Sequence, residues 1–577
     1  MNRNKYTKTS MILYFMSGSK RWFILAALCT CMVSVFDMVN PRLIQYILDE
    51  VITKNIPVLP KIVVTIVIVA AAAALFRYLF KLTNSIGAEK LVKHMRDSLF
   101  SHIMELPYSW YKENRTGDII QRCTSDVETV KNFLSEQLTE LVRTLILITF
   151  AVICMFNISI TLSLISLIFI PVIVIYSLIF FKKIGNAFET ADESEGRLSS
   201  MVQENLTGVR VVRAFGRERY ETDKFTDFNN EYTGMWVHLM KILSEYWAVG
   251  DFFTSTQILI CVVMGCIYCV DGILTPGEIV AFISYNSMMV WPVRQLGRVI
   301  SEMSKASVSI DRIRYIMNSE SEEEISDTAE INVKTDPVVR FSSVNFSYPD
   351  AEAGIFAIKD MSLEIKMGET VGILGATGSG KSTLMLLLCG LYPLKKGIDS
   401  GHITVFGRDI SEIDKKALRN RVSIVLQEPY LFSRTLYENL CLGKDSATKE
   451  AVEAAAETAA LDVDFDTFVG EKGVTLSGGQ KQRAAIATVL IKNPDIMIFD
   501  DSLSAVDAAT EKKIRRNLIE KTRESTVIII SHRISTIMHA DRIFVLSNGS
   551  LIESGNHHEL LQKKGVYRSV YDLQTSV

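Results

Sequence analysis

The chain has 577 residues, a formal net charge of −3 and a hydrophobic share of 48%. This length exceeds what one hydrophobic core supports and predicts several domains. A nearly balanced charge provides no global basic field, so we expect no nucleic-acid partner. Nearly all the long apolar runs precede about residue 300, which predicts two domains of different kinds.

The first 21 residues combine basic residues with one apolar run, Met11–Met16. This pattern is typical of an amphipathic segment on the cytoplasmic face of a membrane. A cleaved signal peptide is the weaker interpretation, because no small-residue cleavage site follows before Asp37. We therefore predict an interfacial elbow segment over residues 1–21.

The apolar runs that follow are counted against the roughly 20 residues that a membrane span requires. The uncharged stretch between Arg143 and Lys182 holds two of them, with a tight turn at residues 157–159. The six predicted spans cover about 22–46, 62–82, 138–157, 160–181, 250–270 and 277–297. A transmembrane domain is thus predicted over residues 22–318.

The connections between spans alternate in length and charge. Segments near 81–143 and 182–250 are long, charged and helix-patterned, whereas the other connections are short and carry few Lys or Arg residues. Since cytoplasmic loops carry the Lys/Arg excess, both termini and both long segments are expected in the cytoplasm. We interpret each long segment as helices that extend below the bilayer and turn back at a short transverse piece.

An acidic, apolar-poor stretch at 319–336 predicts a solvated linker. Beyond it, residues 337–577 alternate strands and helices, as in an α/β nucleotide-binding domain. The predicted fold class is therefore a multidomain membrane protein. It combines an N-terminal all-α six-helix transmembrane domain, with long cytoplasmic helical extensions, and a C-terminal α/β P-loop domain.

A glycine-rich loop in this second domain fits the pattern of a phosphate-binding loop, between a predicted buried strand and a helix. Its glycines let backbone N–H groups surround phosphate oxygens, and the helix N-terminus adds the positive end of its dipole. Lys381 would reach the β- and γ-phosphates, while the Ser382 hydroxyl would ligate Mg²⁺. The candidate ATP-binding residues are Gly375, Thr377, Gly378, Ser379, Gly380, Lys381, Ser382 and Thr383.

Two further buried strands end in polar residues. The strand 496–499 is followed by Asp500, which stands where the second Mg²⁺-associated group of a P-loop site belongs. The strand 527–530 leads to His532. Capping the strand is the simpler interpretation of this histidine, but a position at the same sheet edge favours the phosphate site.

A second small-residue loop begins another predicted helix and would also suit phosphate. Its residues are Leu476, Ser477, Gly478, Gly479 and Gln480. One small domain would crowd two such loops around one phosphate chain, so this loop is expected to serve another copy's nucleotide. Together, these motifs and the six spans resemble an ATP-binding cassette (ABC) transporter, specifically a half-transporter of the exporter type. The resemblance covers the whole chain.

The resemblance implies roles for further residues in the second domain. It implies that Tyr348 stacks on adenine and that Gln427 ligates Mg²⁺ and senses the transmembrane domain. By the same resemblance, His532 contacts the γ-phosphate and Asp507 lies in a loop that crosses the dimer interface. The implied metal ligands are Ser382, Gln427 and Asp500, and the implied catalytic residues are Asp501, His532 and Gln427.

The resemblance also implies the parts that transmit motion. The loop 469–473 is similar to one that relays motion to the signature loop 476–480. The transverse pieces near Tyr108–Glu113 and Arg210–Arg217 are similar to coupling helices, which dock on the ATPase domains.

One position departs from the family pattern. The residue after the Walker B aspartate is normally a glutamate that polarises the attacking water, but here it is Asp501. The missing methylene withdraws the carboxylate by about 1.5 Å, and a misplacement near 1 Å can cost about a hundredfold in rate. We expect a degenerate catalytic site that binds ATP but hydrolyses it poorly. With an intact signature, the chain would complete a related half-transporter's site in a heterodimer; a tolerated substitution in a working homodimer is the alternative.

The predicted function is ATP-driven export of hydrophobic or amphipathic compounds, drugs or lipids, through a bacterial plasma membrane by alternating access. Membrane lipid is an expected partner. Peptide export, import through the same architecture, and an ATP-gated sensor or channel are the alternatives. Charges in or near the spans are candidates for substrate contact or helix pairing. They are Asp37, Arg77, Asp251 and Arg294.

Overall fold

A computed structural model describes most of the chain. The described residues are 6–51, 56–322, 335–349, 351, 355–395, 398–444, 446–502, 506, 508–521 and 525–575. The chain divides into two compact units. The first comprises Met1–Leu106 and Asn114–Glu320, and the second comprises Pro107–Glu113 and Ser321–Val577. The second unit therefore includes one short piece drawn from within the N-terminal half.

The N-terminal half is built from long helices. In chain order these are α1 (Lys8–Phe15), α2 (Lys20–Val51), α3 (Leu59–Met104), α4 (Tyr108–Glu113), α5 (Thr116–Ile158), α6 (Ile160–Thr207), α7 (Val209–Ala214), α8 (Glu218–Val270) and α9 (Pro276–Asn318). Two π-helical turns lie within α5 and one ends α2. The predicted helical extensions exist: α3, α6 and α8 have 46, 48 and 53 residues, more than twice a bilayer's need.

Five helices of the described residues, α2, α3, α5, α6 and α8, are long and apolar enough to cross a membrane. The predicted sixth span lies on α9. Its residues Phe282, Tyr285 and Met289 are buried in one core with Leu147 of α5 and Cys261 of α8. These contacts make α9 a central helix of the first unit. The helical transmembrane domain is confirmed, and the count of six spans stays a prediction.

Local capping explains where two of the long helices begin. Ser159 lies alone between α5 and α6, and its hydroxyl accepts a hydrogen bond from the Leu162 N–H at the start of α6. Thr275 and Glu278 form a reciprocal capping box at the start of α9. Both caps satisfy helix N–H groups that have no partner within the helix. The tight turn predicted at residues 157–159 falls at Ser159.

The structure refines two predictions, one for the N-terminal segment and one for the linker. Met11 and Phe15 of α1 are buried to 1% and 2% exposure, so the apolar face of this segment packs within the protein as well. Glu322, expected in a solvated linker, makes a bidentate ion pair with Arg419 at 2.6 and 2.8 Å. The planar guanidinium matches a carboxylate at two points, which fixes the start of the linker. Residues 323–334 of that linker lie outside the described residues.

The second unit is an α/β domain, as predicted. Its strands are β1 (Val339–Phe346), β2 (Ile358–Ile365), β3 (Thr370–Gly375), β4 (Ser400–Val405), β5 (Arg408–Asp409), β6 (Val422–Val425), β7 (Ile496–Asp500), β8 (Thr526–Ile530), β9 (Arg542–Ser547) and β10 (Ser550–Gly555). One sheet is antiparallel, in the order β2-β1-β4-β5, and the other has the order β10-β9-β3-β8-β7-β6. In the second sheet, the five strands from β9 to β6 are parallel.

The helices of this unit divide among three apolar cores. They are α10 (Lys381–Leu388), α11 (Lys415–Arg421), α12 (Leu436–Leu440), α13 (Lys449–Thr458), α14 (Gly478–Lys492), α15 (Ala508–Lys521), α16 (Ile534–Ile537), α17 (His557–Gln562) and α18 (Val566–Thr575). Helix α10 packs in one core with β1 to β4, whereas α12, α13 and α14 pack in another. The two glycine-rich loops therefore begin helices that belong to different cores.

The short helix α4 belongs to the second unit. The ring of its Tyr108 contacts that of Tyr392 edge-on at 5.7 Å, and Tyr392 is 7% exposed. The helix has the bounds of the predicted transverse piece. This packing is what the prediction of a coupling helix requires.

Candidate nucleotide site

Sheet order brings the predicted phosphate-site strands to one edge. β8 lies between β3 and β7, and Ile530 pairs with both Ile373 and Asp500. Because the carboxyl ends of parallel strands meet at the same edge, Gly375, Asp500 and Ser531 lie together there. This arrangement is the basis of the candidate site.

Backbone geometry explains the glycines of the loop between β3 and α10. Gly378 and Gly380 have φ of +81° and +98°, a region that residues with a Cβ rarely adopt. At Gly380 a Cβ would also lie 2.9 Å from the Ala357 carbonyl oxygen. Gly380 immediately precedes α10, so the loop delivers its N–H groups to that helix N-terminus.

Lys381 is folded across this loop. Its ammonium donates to the carbonyl oxygens of Gly375 and Ala376, at 2.8 and 2.9 Å, and the residue is 7% exposed. Burial lowers the pKa of Lys381, and the carboxylates of Asp500 and Asp501 oppose this effect. Among the described residues, this buried cation donates its hydrogen bonds to carbonyl oxygens, so it suits an incoming phosphate, which would supply the missing negative charge.

The cradle also contains an unpaired hydroxyl. Ser379 is 3% exposed, and its Oγ has no hydrogen-bond partner among the described residues. A buried hydroxyl without a partner is costly unless a ligand supplies one. Phosphate oxygens are acceptors, so the loop fits the ATP that its glycines predict.

Ser382 and Asp500 form the candidate metal position. The Ser382 hydroxyl donates to Asp500 Oδ2 at 3.2 Å. Burial raises the pKa of Asp500, while the hydrogen bond from Ser382 lowers it. A hydroxyl and a carboxylate are the oxygen ligands that Mg²⁺ prefers, so the pair fits the ion. Gln427 lies exposed just after β6, the strand beside β7, and no hydrogen bond among the described residues joins it to this pair.

Tyr348 is tied to the phosphate loop. Its hydroxyl and that of Thr383 on α10 are 2.9 Å apart. Its ring is half-buried and packs edge-on against Phe346 and Tyr392, both at 5.2 Å. The ring is therefore fixed beside the helix that follows the phosphate loop, and its stacking on adenine stays a prediction.

Asp501 has an unusual backbone and a neighbour that the sequence did not reveal. Its φ is +43°, and its N–H donates to the Ile530 carbonyl oxygen at 2.9 Å. The hydroxyl of buried Ser531 lies 3.5 Å from Asp501 Oδ1, so the carboxylate points toward the end of β8. His532 follows with an exposed side chain.

The signature loop forms the start of α14. Ser477 and Gln480 cap each other reciprocally, with bonds of 3.3 and 2.9 Å. Ser477 and Gly478 are exposed, while Gly479 and Gln480 are partly exposed. The neighbouring loop is attached to this helix, because the Lys481 ammonium donates to the Lys472 carbonyl oxygen at 2.9 Å. Asp507 lies outside the described residues.

The charges predicted in or near the spans form two ion pairs. Arg77 on α3 contacts Asp37 on α2 at 2.5 Å, and Arg294 on α9 contacts Asp251 on α8 at 2.8 Å. Asp37 is 8% exposed. Each pair joins two neighbouring helices, which favours helix pairing over the alternative of a free substrate ligand.

Comparison with known families matches both units. Residues 23–293 match the model of the ABC transporter transmembrane region, and residues 358–504 match that of the ABC transporter. The chain is also similar to a solved structure of a bacterial Atm1-family ABC exporter with ATP bound. That similarity has a TM-score of 0.82 and 25% identity, over 96% of this chain and 99% of the other.

Two bacterial relatives cover most of the chain. The probable multidrug resistance ABC transporter ATP-binding/permease protein YheI of Bacillus subtilis is 35% identical over 85% of this chain and 84% of its own. The multidrug resistance-like ATP-binding protein MdlA of Buchnera aphidicola is 31% identical over 97% of both chains.

Proposed function

Because the chain belongs to the ABC transporters of the exporter type, we propose that it exports hydrophobic or amphipathic compounds as one half of a heterodimer. Its helical unit is embedded in the membrane, its ATPase domain is cytoplasmic, and exporters of this type act as dimers. The proposed substrates are drugs or lipids. The multidrug names of its relatives support this class.

Asp501 carries the proposal. Its carboxylate is one methylene shorter than a glutamate, and its Oδ1 lies 3.5 Å from the Ser531 hydroxyl at the end of β8. The shorter side chain would withdraw the carboxylate from a water in line with the γ-phosphate. The pocket formed by Lys381 and Ser382 would then bind Mg²⁺ and ATP tightly but turn over slowly.

The exposed signature loop supports the second half of the proposal. Ser477 and Gly478 present the N-terminus of α14 without using their backbone N–H groups on this chain's phosphate loop, since α14 packs in a separate core. A partner's nucleotide would complete that site. The partner is expected to carry the glutamate that this chain lacks.

Helix α4 is the proposed coupling element. Its Tyr108 packs on Tyr392, which also packs against Tyr348 beside the phosphate loop. ATP bound between two ATPase domains would favour their closed dimer, and hydrolysis with release would favour separation. Helices such as α4 would convert that difference into inward- and outward-facing states.

Restoring the longer acid tests the proposal. We expect Asp501→Glu to raise the ATP turnover of the purified full chain in lipid by about tenfold or more, because one methylene returns the carboxylate toward the water. Asp501→Asn serves as the matched control and should remove the residual turnover.

Vigorous turnover of the unaltered chain alone, lost on Lys381→Ala, would contradict the proposal. It would favour the second candidate, a homodimer in which Asp501 suffices.

A further inference from the structure

Gln574 on α18 holds the main chain on both sides of Arg533, the residue that follows His532. Its Nε2–H donates to the His532 carbonyl oxygen at 2.8 Å, and its Oε1 accepts from the Ile534 N–H at 2.9 Å. A carboxamide provides a donor and an acceptor at a fixed spacing. One side chain thus closes a loop that lies 42 residues earlier in the chain.

The described residues show a second support for this loop, a hydrogen bond on its β8 side. His532 lies between β8 and the short helix α16, and its side chain is exposed. The Ser531 hydroxyl accepts from the Arg533 N–H at 3.0 Å, which fixes the loop from the β8 side. The Gln574 carboxamide fixes it from the opposite side.

The helix that carries Gln574 is itself anchored. Tyr567 on α18 is fully buried in a core that also contains Ile534 and Ile537 of α16. The His557 ring nitrogen lies 2.6 Å from the Tyr567 hydroxyl and ties α17 to the same residue. Gln574 itself is exposed, near the end of a helix whose Tyr567 packs in the core that also contains Ile534.

A simple helix cap would explain only half of the contact. Ile534 is the first residue of α16, and Arg533 before it provides no side-chain cap. Gln574 satisfies that orphan N–H group. Capping does not require the second bond, to the carbonyl oxygen of His532, and that bond fixes the peptide group that follows the histidine.

We propose that Gln574 is a positioning residue for His532, holding its imidazole where it meets the γ-phosphate of ATP in this chain's own pocket. The inference rests on the proposed role of His532 and is independent of how fast Asp501 supports hydrolysis. It assigns the C-terminal helix a part in nucleotide retention that nothing in the motif pattern indicates.

The test measures retention of a slowly hydrolysed nucleotide by the full chain in lipid. Labelled ATPγS is bound with Mg²⁺, and its release is followed for Gln574→Met, His532→Ala and the double variant. Methionine keeps the length of the side chain without its hydrogen bonds. Gln562→Met, at an exposed glutamine on α17, is the matched control.

We expect Gln574→Met to speed release by about threefold to tenfold, with no further acceleration on the His532→Ala background, since residues that act through one group are not additive. Gln574→Glu keeps the acceptor and loses the donor, so its release should also be faster. Hydrogen exchange of the Ile534 amide reports directly on its bond to Gln574, and it should accelerate in Gln574→Met and in the double variant but not in His532→Ala or Gln562→Met.

Two outcomes would overturn the inference, and they differ. If His532→Ala speeds release but Gln574→Met matches Gln562→Met, Gln574 does not position the histidine, while the proposed role of His532 stands. The second outcome is that His532→Ala leaves release unchanged although Ile534 exchange accelerates in Gln574→Met. The hydrogen bonds of Gln574 would then exist, but the proposed role of His532 would fail, and the positioning role of Gln574 would fail with it.

Discussion

Lys381 and Asp500 are buried charges of opposite sign at one sheet edge, and burial disfavours the charged form of each. It lowers the pKa of the lysine and raises that of the aspartate. Neither is placed there for the stability of the empty domain, because buried charges cost free energy unless they are fully paired. Together they suit a ligand that carries both charges, since Lys381 can bind the phosphates of ATP and Asp500 the accompanying Mg²⁺.

Asp500→Asn tests this trade of stability for binding. A raised folded-state pKa means that the domain loses stability as pH rises through it, so the amide should be the more stable form at neutral pH. We expect Asp500→Asn to raise the melting temperature of the nucleotide-free full chain near pH 8, and the difference from the unaltered chain to shrink as the pH falls below the raised pKa of Asp500.

The same variant should lose Mg²⁺-dependent ATP binding. Asp462→Asn, at an exposed aspartate of the same unit, is the control and should change neither quantity. A variant that melts lower than the unaltered chain near pH 8 would mean that Asp500 stabilises the empty domain.

Residues of the site were predictable where chemistry and position lie in one short motif. Gly375 to Thr383 and Asp500 are such cases, since a strand, a turn and a helix follow one another in the chain. Ser531 and Gln574 are the opposite case. Their contacts depend on β8 lying beside β7 and on α18 packing near the end of β8. The local pattern of apolar residues does not predict which distant elements become neighbours.

Among the elements, α2 and α3 show how paired helices manage charge in a bilayer. Asp37 is buried, whereas the side chain of its partner Arg77 is 56% exposed. The rings of Phe36 and Phe76 also contact each other at 5.7 Å, one residue before each charge. The ion pair therefore lies on a packed seam between the two helices.

Removing either partner of this ion pair should destabilise the protein. We expect Asp37→Asn or Arg77→Gln alone to destabilise the full chain in lipid by about 1–3 kcal/mol, and the double variant by less than the sum, because each single change leaves an unpaired charge or amide. Thermal unfolding in lipid measures this coupling.

Asp271→Asn, at the exposed end of α8, is the control for a surface carboxylate. A different result would favour the other role of Asp37. If Asp37→Asn left stability unchanged and altered the transport of cationic compounds alone, the carboxylate would be a substrate ligand.

For the whole molecule, the proposed heterodimer predicts that changes in the signature loop and at Asp501 lower ATP turnover by different amounts. In the complex with its partner, Gly478→Asp should lower total turnover by about a hundredfold, because an added carboxylate at the N-terminus of α14 repels the partner's nucleotide. Asp501→Asn in the same complex should cost less than about twofold. Turnover of the purified complex is the measurement, and equal losses would contradict the asymmetry.

At this scale the sequence predicted the order of domains well and the partition of the chain less well. Apolar runs and loop charge identified the helical unit, since a bilayer imposes a simple length rule on α2, α3, α5, α6 and α8. The central place of α9 was harder to foresee, because its burial comes from contacts with other helices. Residues such as Asn286, buried at 1% exposure, dilute its apolar signal.

Helix α4 has a consequence for how the ATPase domain is produced on its own. The domain is not one continuous stretch of chain, because Pro107–Glu113 belongs to it although more than 200 residues separate that piece from Ser321. A fragment started at Ser321 would leave one face of Tyr392 without its covering ring. Such a truncated polypeptide should aggregate more readily than the domain within the full chain, because this apolar surface is exposed. Adding Tyr108–Glu113 back as a synthetic peptide should improve its solubility.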